Sequence, residues 1–140
     1  MTSKPSNLRV VPYTPDHFDE IRAVCISQAG ELANTDETHG RFTLFMYCDA
    51  YLEYGVAYIL VDDKGVAQGY AFAAEDANVW RRDFEPYHLK IRELGCEYEQ
   101  QAAIELDFYE SVANEYPAHL HIDIADKFCV REIRTPTFEH

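Results

Sequence analysis

The chain has little positive charge and no long apolar run, and each absence excludes a class of protein. Twelve Lys and Arg residues stand against 25 Asp and Glu residues, a formal net charge of −13 over 140 residues. This charge repels phosphate backbones and anionic lipids, so we expect neither nucleic acid nor a membrane as partner, whereas a small-molecule amine is compatible with it. Residues 1–7 lack the apolar run of a signal peptide, and no stretch is long enough to span a bilayer. We therefore predict a cytoplasmic protein.

The cysteines and the common catalytic motifs exclude further classes. Cys25, Cys48, Cys96 and Cys129 form no C-x-x-C pair, so neither a zinc knuckle nor a redox motif is indicated, and reduced thiols are the simplest interpretation. G-x-S-x-G, P-loop, G-x-G-x-x-G and H-E-x-x-H patterns are also missing. A dyad of Cys25 or Cys48 with a histidine can be imagined, but nothing in the sequence brings such a pair together.

Hydrophobic periodicity predicts one mixed α/β (α+β) domain. The apolar fraction of 47% suits a single core. The predicted strands are 8–13, a hairpin of 57–61 and 66–73 with Gly65 in its turn, and 118–124. The first predicted helix is capped by Thr14 and has Pro15 as its first residue. Further helices are predicted within 42–52, from near Glu85, and from about Gln100 to Pro117. We expect residues 1–7 to be disordered, 31–40 to be irregular, and 128–133 to form a strand in preference to a helical turn.

The last predicted strand alternates polar and apolar side chains. Its two faces carry His119, His121 and Asp123 on one side and Leu120, Ile122 and Ile124 on the other. An H-x-H-x-D pattern can bind zinc or iron, but one strand supplies only three ligands and no distant cluster completes the set. We predict no metal site and keep it as an alternative. The main interpretation is a polar face that meets a cleft or solvent, with neutral, hydrogen-bonded histidines.

The order of elements and the string Y-P-A-H-L-H-I-D at 116–123 resemble the GNAT N-acetyltransferases. The likeness is to a bacterial and fungal subgroup related to the acetyltransferase-like domain of O-GlcNAc hydrolases. The hairpin at 58–70 is similar too, and the resemblance covers residues 8–124. It implies a partial GNAT-like fold, a mixed and mostly antiparallel sheet flanked by helices, and acyl transfer from acetyl-CoA to an amine.

The resemblance also implies roles for three residues at the end of this strand. Asp123 corresponds to a position where a carboxylate can deprotonate an amine, which makes it the candidate catalytic residue. The backbone of Ile124 and Ala125 corresponds to positions that meet the pantetheine arm of the cofactor. For Asp123, a structural carboxylate hydrogen-bonded at the strand end is the competing interpretation.

After Ile124 the sequence departs from the family. A glycine-rich loop at a helix N-terminus should bind the diphosphate there, because glycine allows close approach of the backbone. No glycine follows Ile124, and Asp126 brings an acid instead. We expect a C-terminally truncated GNAT-like domain at 8–124 with a divergent tail at 125–140, in which acetyl-CoA binding and catalysis are impaired or lost. The alternative is a noncatalytic binding or dimerisation module, with the open edge of the last strand covered by the tail or by a second protomer in a homodimer.

Overall fold

A four-stranded antiparallel sheet organises residues 7–128, the part of the chain that the computed structural model describes. The strands, in spatial order, are β1 (Arg9–Pro12), β2 (Val56–Val61), β3 (Ala67–Ala74) and β4 (His119–Ile124). The helices are α1 (Phe18–Gln28), α2 (Glu31–Thr35), α3 (Glu37–Leu44), α4 (Ala50–Tyr54), α5 (Ala77–Asp83), α6 (Glu85–Arg92) and α7 (Cys96–Ser111). The predicted α+β class, an antiparallel sheet flanked by helices, is confirmed.

The predicted hairpin of β2 and β3 is present, and its turn is fixed by Asp62 and Gly65. The Asp62 carboxylate accepts hydrogen bonds from the backbone N–H groups of Lys64 and Val66 at 2.8 and 3.0 Å. Gly65 has a φ of +81°, the left-handed conformation that glycine adopts without steric penalty. The hairpin places Ile59 opposite Tyr70, and both side chains are buried in the core.

The start of α1 differs in detail from the prediction. Residues Pro15–His17 form a 3-10 turn, and the α-helix begins only at Phe18. Thr14 makes no side-chain capping bond; its backbone carbonyl accepts the N–H of His17 at 3.0 Å instead. On the inner face of α1, Ile21 and Cys25 are fully buried, whereas Phe18 is half-buried.

Two helical regions were missed by the sequence prediction. Residues 31–40, expected to be irregular, form α2 and the first half of α3, and α5 was not predicted. Asp36 caps α3 by accepting the N–H groups of Thr38 and His39, and Asp76 caps α5 in the same way. These caps satisfy orphan donors in segments whose apolar periodicity is weak, which is why periodicity alone overlooked them. Helix α6 begins at Glu85 as predicted, and α7 begins at Cys96, earlier than predicted.

A π-helical turn at Phe45–Asp49 joins α3 to α4 and makes 37–54 one nearly continuous helical segment. The turn buries Asp49, whose carboxylate receives two hydrogen bonds from the Arg22 guanidinium of α1 at 3.0 and 3.1 Å. Burial raises the pKa of Asp49, and Arg22 opposes that rise. Because this pair holds the π turn against α1, it positions Tyr47 and Cys48 beside Cys25. Single π turns inside helices are frequent at functional sites.

The two faces of the sheet have different surroundings. The inner face packs against the helices, and its central side chains Tyr70 and Phe72 stack with ring centroids 4.1 Å apart. The outer face leaves Leu120 69% and Ile122 63% exposed. The predicted alternation is confirmed, and β4 turns its polar side chains toward the helices and its apolar Leu120 and Ile122 toward solvent. No helix within residues 7–128 is long and apolar enough to cross a membrane.

Candidate functional site

The inner face of β4 carries a hydrogen-bonded group made of Tyr70, His121 and Asp123. Tyr70 lies directly opposite Asp123 in the β3–β4 ladder, and its hydroxyl donates to the Asp123 Oδ2 at 2.5 Å. His121 Nε2 is 3.3 Å from the same oxygen and 3.4 Å from the Tyr70 hydroxyl. The ladder register therefore fixes the carboxylate, and the carboxylate and the hydroxyl together orient the imidazole.

A cavity of about 230 Å³ opens beside this group. His121 and Asp123 form one wall, and the others come from α1, α3, the π turn and α7. The side chains that matter for chemistry are Cys25, Phe42, Tyr47, His121 and Asp123. The cavity thus combines a carboxylate, the imidazoles of His121 and His39, a thiol and two aromatic rings, a mixture of apolar walls and convergent polar groups that is typical of ligand sites.

Cys25 and His121, which no sequence pattern linked, are brought together here. The pKa of the Cys25 thiol is lowered to about 6. Hydrogen bonding with Cys48 lowers it most, burial opposes the change, and hydrogen bonding with His121 and Tyr70 lowers it further. Burial lowers the pKa of His121, but hydrogen bonding with Asp123 and Cys25 outweighs burial and raises it to about 9. The hydrogen bonding among these groups therefore favours the thiolate form of Cys25 and the imidazolium form of His121. The expectation of a neutral histidine is wrong for His121, because the Asp123 carboxylate and then the Cys25 thiol stabilise its charged form.

A second polar contact enters the cavity region from α7. The Tyr47 hydroxyl donates to Glu105 Oε2 at 2.7 Å, and the Tyr47 ring lies 5.5 Å from the His121 ring, centroid to centroid. Burial raises the pKa of Glu105, with the Tyr47 bond opposing it. Glu105 is half-buried, whereas Asp107 and Glu110 of the same helix are exposed, because the π turn aims Tyr47 at Glu105.

His119 lies two residues from His121 but in a different environment. Its ring stacks on Tyr109 with centroids 3.8 Å apart and planes within 6°, and Tyr51 and Trp80 meet it edge-on at 5.8 Å. Burial lowers its pKa to about 4, so it is neutral as predicted. The predicted hydrogen bonding is wrong for His119, because neither ring nitrogen has a partner within residues 7–128. The same residues contain no group of three or more His, Cys, Asp or Glu side chains that could hold a metal ion.

The positions implied for cofactor binding are only partly suited to it. Ile124 pairs with Gly69, and the N–H of Ala125 donates to the Gln68 carbonyl at 2.8 Å, so this N–H faces β3. Residues Asp126–Phe128 form a 3-10 turn, and Asp126 accepts a hydrogen bond from Gln28. A carboxylate and a turn without glycine do not fit a diphosphate. The roles of Ile124 and Ala125 remain predictions, and the predicted strand at 128–133 lies, beyond Phe128, outside the described residues.

The comparisons with known proteins agree with this architecture. No protein-family model matches the chain, and no curated protein matches it. The crystal structure of SsHAT is similar, with a TM-score of 0.69 at 21% sequence identity, over 90% of this chain and 70% of that chain. A likeness at this identity establishes a shared fold. It supports the predicted acetyltransferase-like fold, whereas GNAT membership remains a prediction.

Proposed function

We propose that this domain is a GNAT-like N-acetyltransferase relative that binds a small cationic amine in the cavity beside β4, with impaired or absent turnover of acetyl-CoA. The observation that carries the proposal is the Asp123 carboxylate, which lines the cavity and is held there by the Tyr70 hydroxyl at 2.5 Å. The proposal follows the acetyltransferase-like fold and includes a cytoplasmic location.

The charges and rings of the cavity favour an ammonium group. If the Cys25 thiolate and the His121 imidazolium balance one another, the Asp123 carboxylate leaves one net negative charge at the site. Phe42 and Tyr47 present aromatic rings in the same cavity, and such faces attract cations. The net charge of −13 adds a long-range attraction for amines. In any residual acyl transfer, Asp123 is the proposed acceptor of the amine proton, because it is the cavity carboxylate.

The impaired use of acetyl-CoA follows from residues 125–128. Acetyl-CoA supplies an activated acetyl group when it is bound, and the backbone of Ile124 and Ala125 remains the proposed contact for its pantetheine arm. The 3-10 turn with Asp126 offers its diphosphate a carboxylate where glycine N–H groups would be needed. Electrostatic repulsion at that point weakens binding of the nucleotide end, so we assign no catalytic step to this cofactor.

Calorimetric titration tests both halves of the proposal. We expect saturable binding of a polyamine, an aminoglycoside or a lysine peptide, and loss of that binding in Asp123→Asn, which keeps the shape but removes the charge. Asp107→Asn, on the exposed side of α7, is the matched control and should bind as the parent does. Absence of binding by all three amines, or equal binding by Asp123→Asn, would contradict the amine site. Saturable heat with acetyl-CoA would contradict the impaired cofactor site.

A second candidate function is a noncatalytic dimerisation module, and one observation favours it. Leu120 and Ile122 lie exposed on β4, which is at the edge of the described sheet. Apolar side chains beside a strand edge are typical of surfaces that pair with another chain. A homodimer through this edge therefore remains the alternative proposal.

A further inference from the structure

Cys25 is a nucleophilic side chain in the cavity wall that amine binding does not use. Its side chain belongs to the buried core, yet it forms part of the cavity lining. Three groups interact with its thiol: Cys48 of the π turn, Tyr70 of β3 and His121 of β4. Buried structural thiols are ordinarily inert because their surroundings are apolar. The surroundings of Cys25 are polar and include a histidine oriented by a carboxylate.

The geometry distinguishes Cys25 from its neighbour Cys48. Cys48 is fully buried and is not part of the cavity lining. Hydrogen bonding with Cys25 and then burial raise the pKa of Cys48, and the charge of Asp49 adds to the rise. Cys25 instead lies with His121, whose Nε2 is 3.3 Å from the Asp123 carboxylate. Cys25, His121 and Asp123 thus bring together a thiol, an imidazole and a carboxylate, the set of groups that activates nucleophilic cysteines in unrelated folds.

The size and chemistry of the site restrict what such a thiol would attack. A cavity of about 230 Å³ accommodates an acyl group with a short arm, and residues 125–128 do not fit a nucleotide diphosphate. We propose that Cys25 is a covalent acyl acceptor that takes the acyl group of a small thioester without a nucleotide. The inference goes beyond the proposed function and does not depend on amine binding.

The transfer of the acyl group to Cys25 needs only the thioester and side chains of the site. The thiolate of Cys25 adds to the thioester carbonyl carbon and forms a new sulfur–carbon bond. The carbon–sulfur bond of the donor then breaks, and the departing thiolate takes the proton of the His121 imidazolium. The products are an S-acyl Cys25, a free small thiol and a neutral His121, so no oxidant or reductant is needed. Asp123 keeps His121 in place and acts as a positioning residue here.

Reactivity of the thiol is tested by alkylation with iodoacetamide, read by peptide mass spectrometry across pH 5 to 9. The groups that face Cys25 and can titrate with it are Tyr47 and Cys48 of the π turn, Tyr70 of β3 and His121 of β4, with Asp123 behind His121. We expect Cys25 to be alkylated in the folded protein with a half-maximal rate near pH 6. His121→Gln should slow the reaction about threefold at pH 6.5 and up to about tenfold near pH 5, because loss of the imidazolium raises the thiol pKa by about one unit. Labelling of Cys25 only after denaturation would overturn the proposal.

Acyl capture is tested with the acetyl thioester of N-acetylcysteamine as the probe. We expect one added acetyl group in the intact mass, located on Cys25 by peptide mapping and removed by neutral hydroxylamine. Cys25→Ser should abolish it, and Cys96→Ser, at an exposed thiol on α7, is the matched control that should keep it. Circular dichroism verifies folding, and His121→Gln supplies a second variant if the serine variant unfolds. Normal alkylation of Cys25 without acetylation would overturn the proposal, while amine binding, measured separately, would be unaffected.

Discussion

His119 and His121 share one face of β4, and we predict that folding shifts their pKa values in opposite directions. Burial lowers the pKa of His119 to about 4, with no charged group opposing it. Burial acts on His121 as well, but hydrogen bonding with Asp123 and Cys25 prevails and raises its pKa to about 9. The perturbation that separates these causes is Asp123→Asn, which removes the carboxylate charge and preserves the shape of the side chain.

The contribution of each histidine to the free energy of unfolding follows from the shift of its pKa on folding. A histidine pKa that moves from 6.5 to about 9 on folding corresponds to about 3 kcal/mol of stability. Because folded His121 binds its proton more tightly, this contribution is fully present below pH 6.5 and is lost as pH rises through about 9. For His119 the sign is reversed: its contribution is present above pH 6.5 and is lost as pH falls through about 4. Asp123→Asn should therefore reduce stability at pH 6 by up to about 3 kcal/mol and by little at pH 10.

Nuclear magnetic resonance of the imidazole Cε1–H signals measures both pKa values directly. The Asn variant should lower the pKa of His121 and leave that of His119 near 4, so His119 serves as the internal control. Urea unfolding of parent and variant at pH 6 and pH 10 measures the stability difference. The reasoning is refuted if His121 of the parent protein titrates at or below 6.5, or if the variant loses the same free energy at both pH values.

Two further predictions concern the buried Arg22–Asp49 ion pair and the exposed apolar side chains of β4. Arg22→Ala should destabilise the fold by about 3 kcal/mol in urea unfolding, because it leaves the Asp49 carboxylate, 9% exposed, without its bidentate partner. Arg81 instead pairs with exposed or partly exposed carboxylates on α7, so Arg81→Ala should lower the free energy of unfolding by less than about 1 kcal/mol. Equal losses of stability in the two variants would contradict this distinction. If the domain dimerises through β4, light scattering should detect a dimer that the double variant Leu120→Lys, Ile122→Lys converts to a folded monomer; a monomeric parent protein at high concentration eliminates the dimer alternative.

The elements that the sequence predicted well are those with local signals. The hairpin was predicted because alternating side chains flank an Asp-rich turn with Gly65 at its left-handed position. The polar face of β4 was predicted for the same reason, since a period of two needs no tertiary information. The start of α3 and all of α5 were missed because their signals are the caps Asp36 and Asp76, in polar segments with little periodicity, and α2 has no side-chain cap at all.

The chemistry of the site was less predictable, because it depends on which helix lies above each residue of β4. His121 meets Cys25 of α1, whereas His119 is enclosed by Trp80 of α5 and Tyr109 of α7. Alternation alone treats the two histidines as equivalent. The sequence did not decide whether the polar face of β4 meets a cleft or solvent, and the contact of Cys25 with His121 depends on how α1 crosses the sheet.

The polarity of β4 is the reverse of what stability alone favours, and this reversal argues that the cavity has a function. Buried ionisable groups are less stabilising than apolar side chains of similar volume, and exposed Leu120 and Ile122 gain little from burial. Exchanging the two faces would give a more stable strand. β4 instead turns His121 and Asp123 inward, where Tyr70 and Cys25 meet them. Departures from the most stable arrangement concentrate at functional sites, so the chemistry of this domain is expected where its strand polarity is reversed.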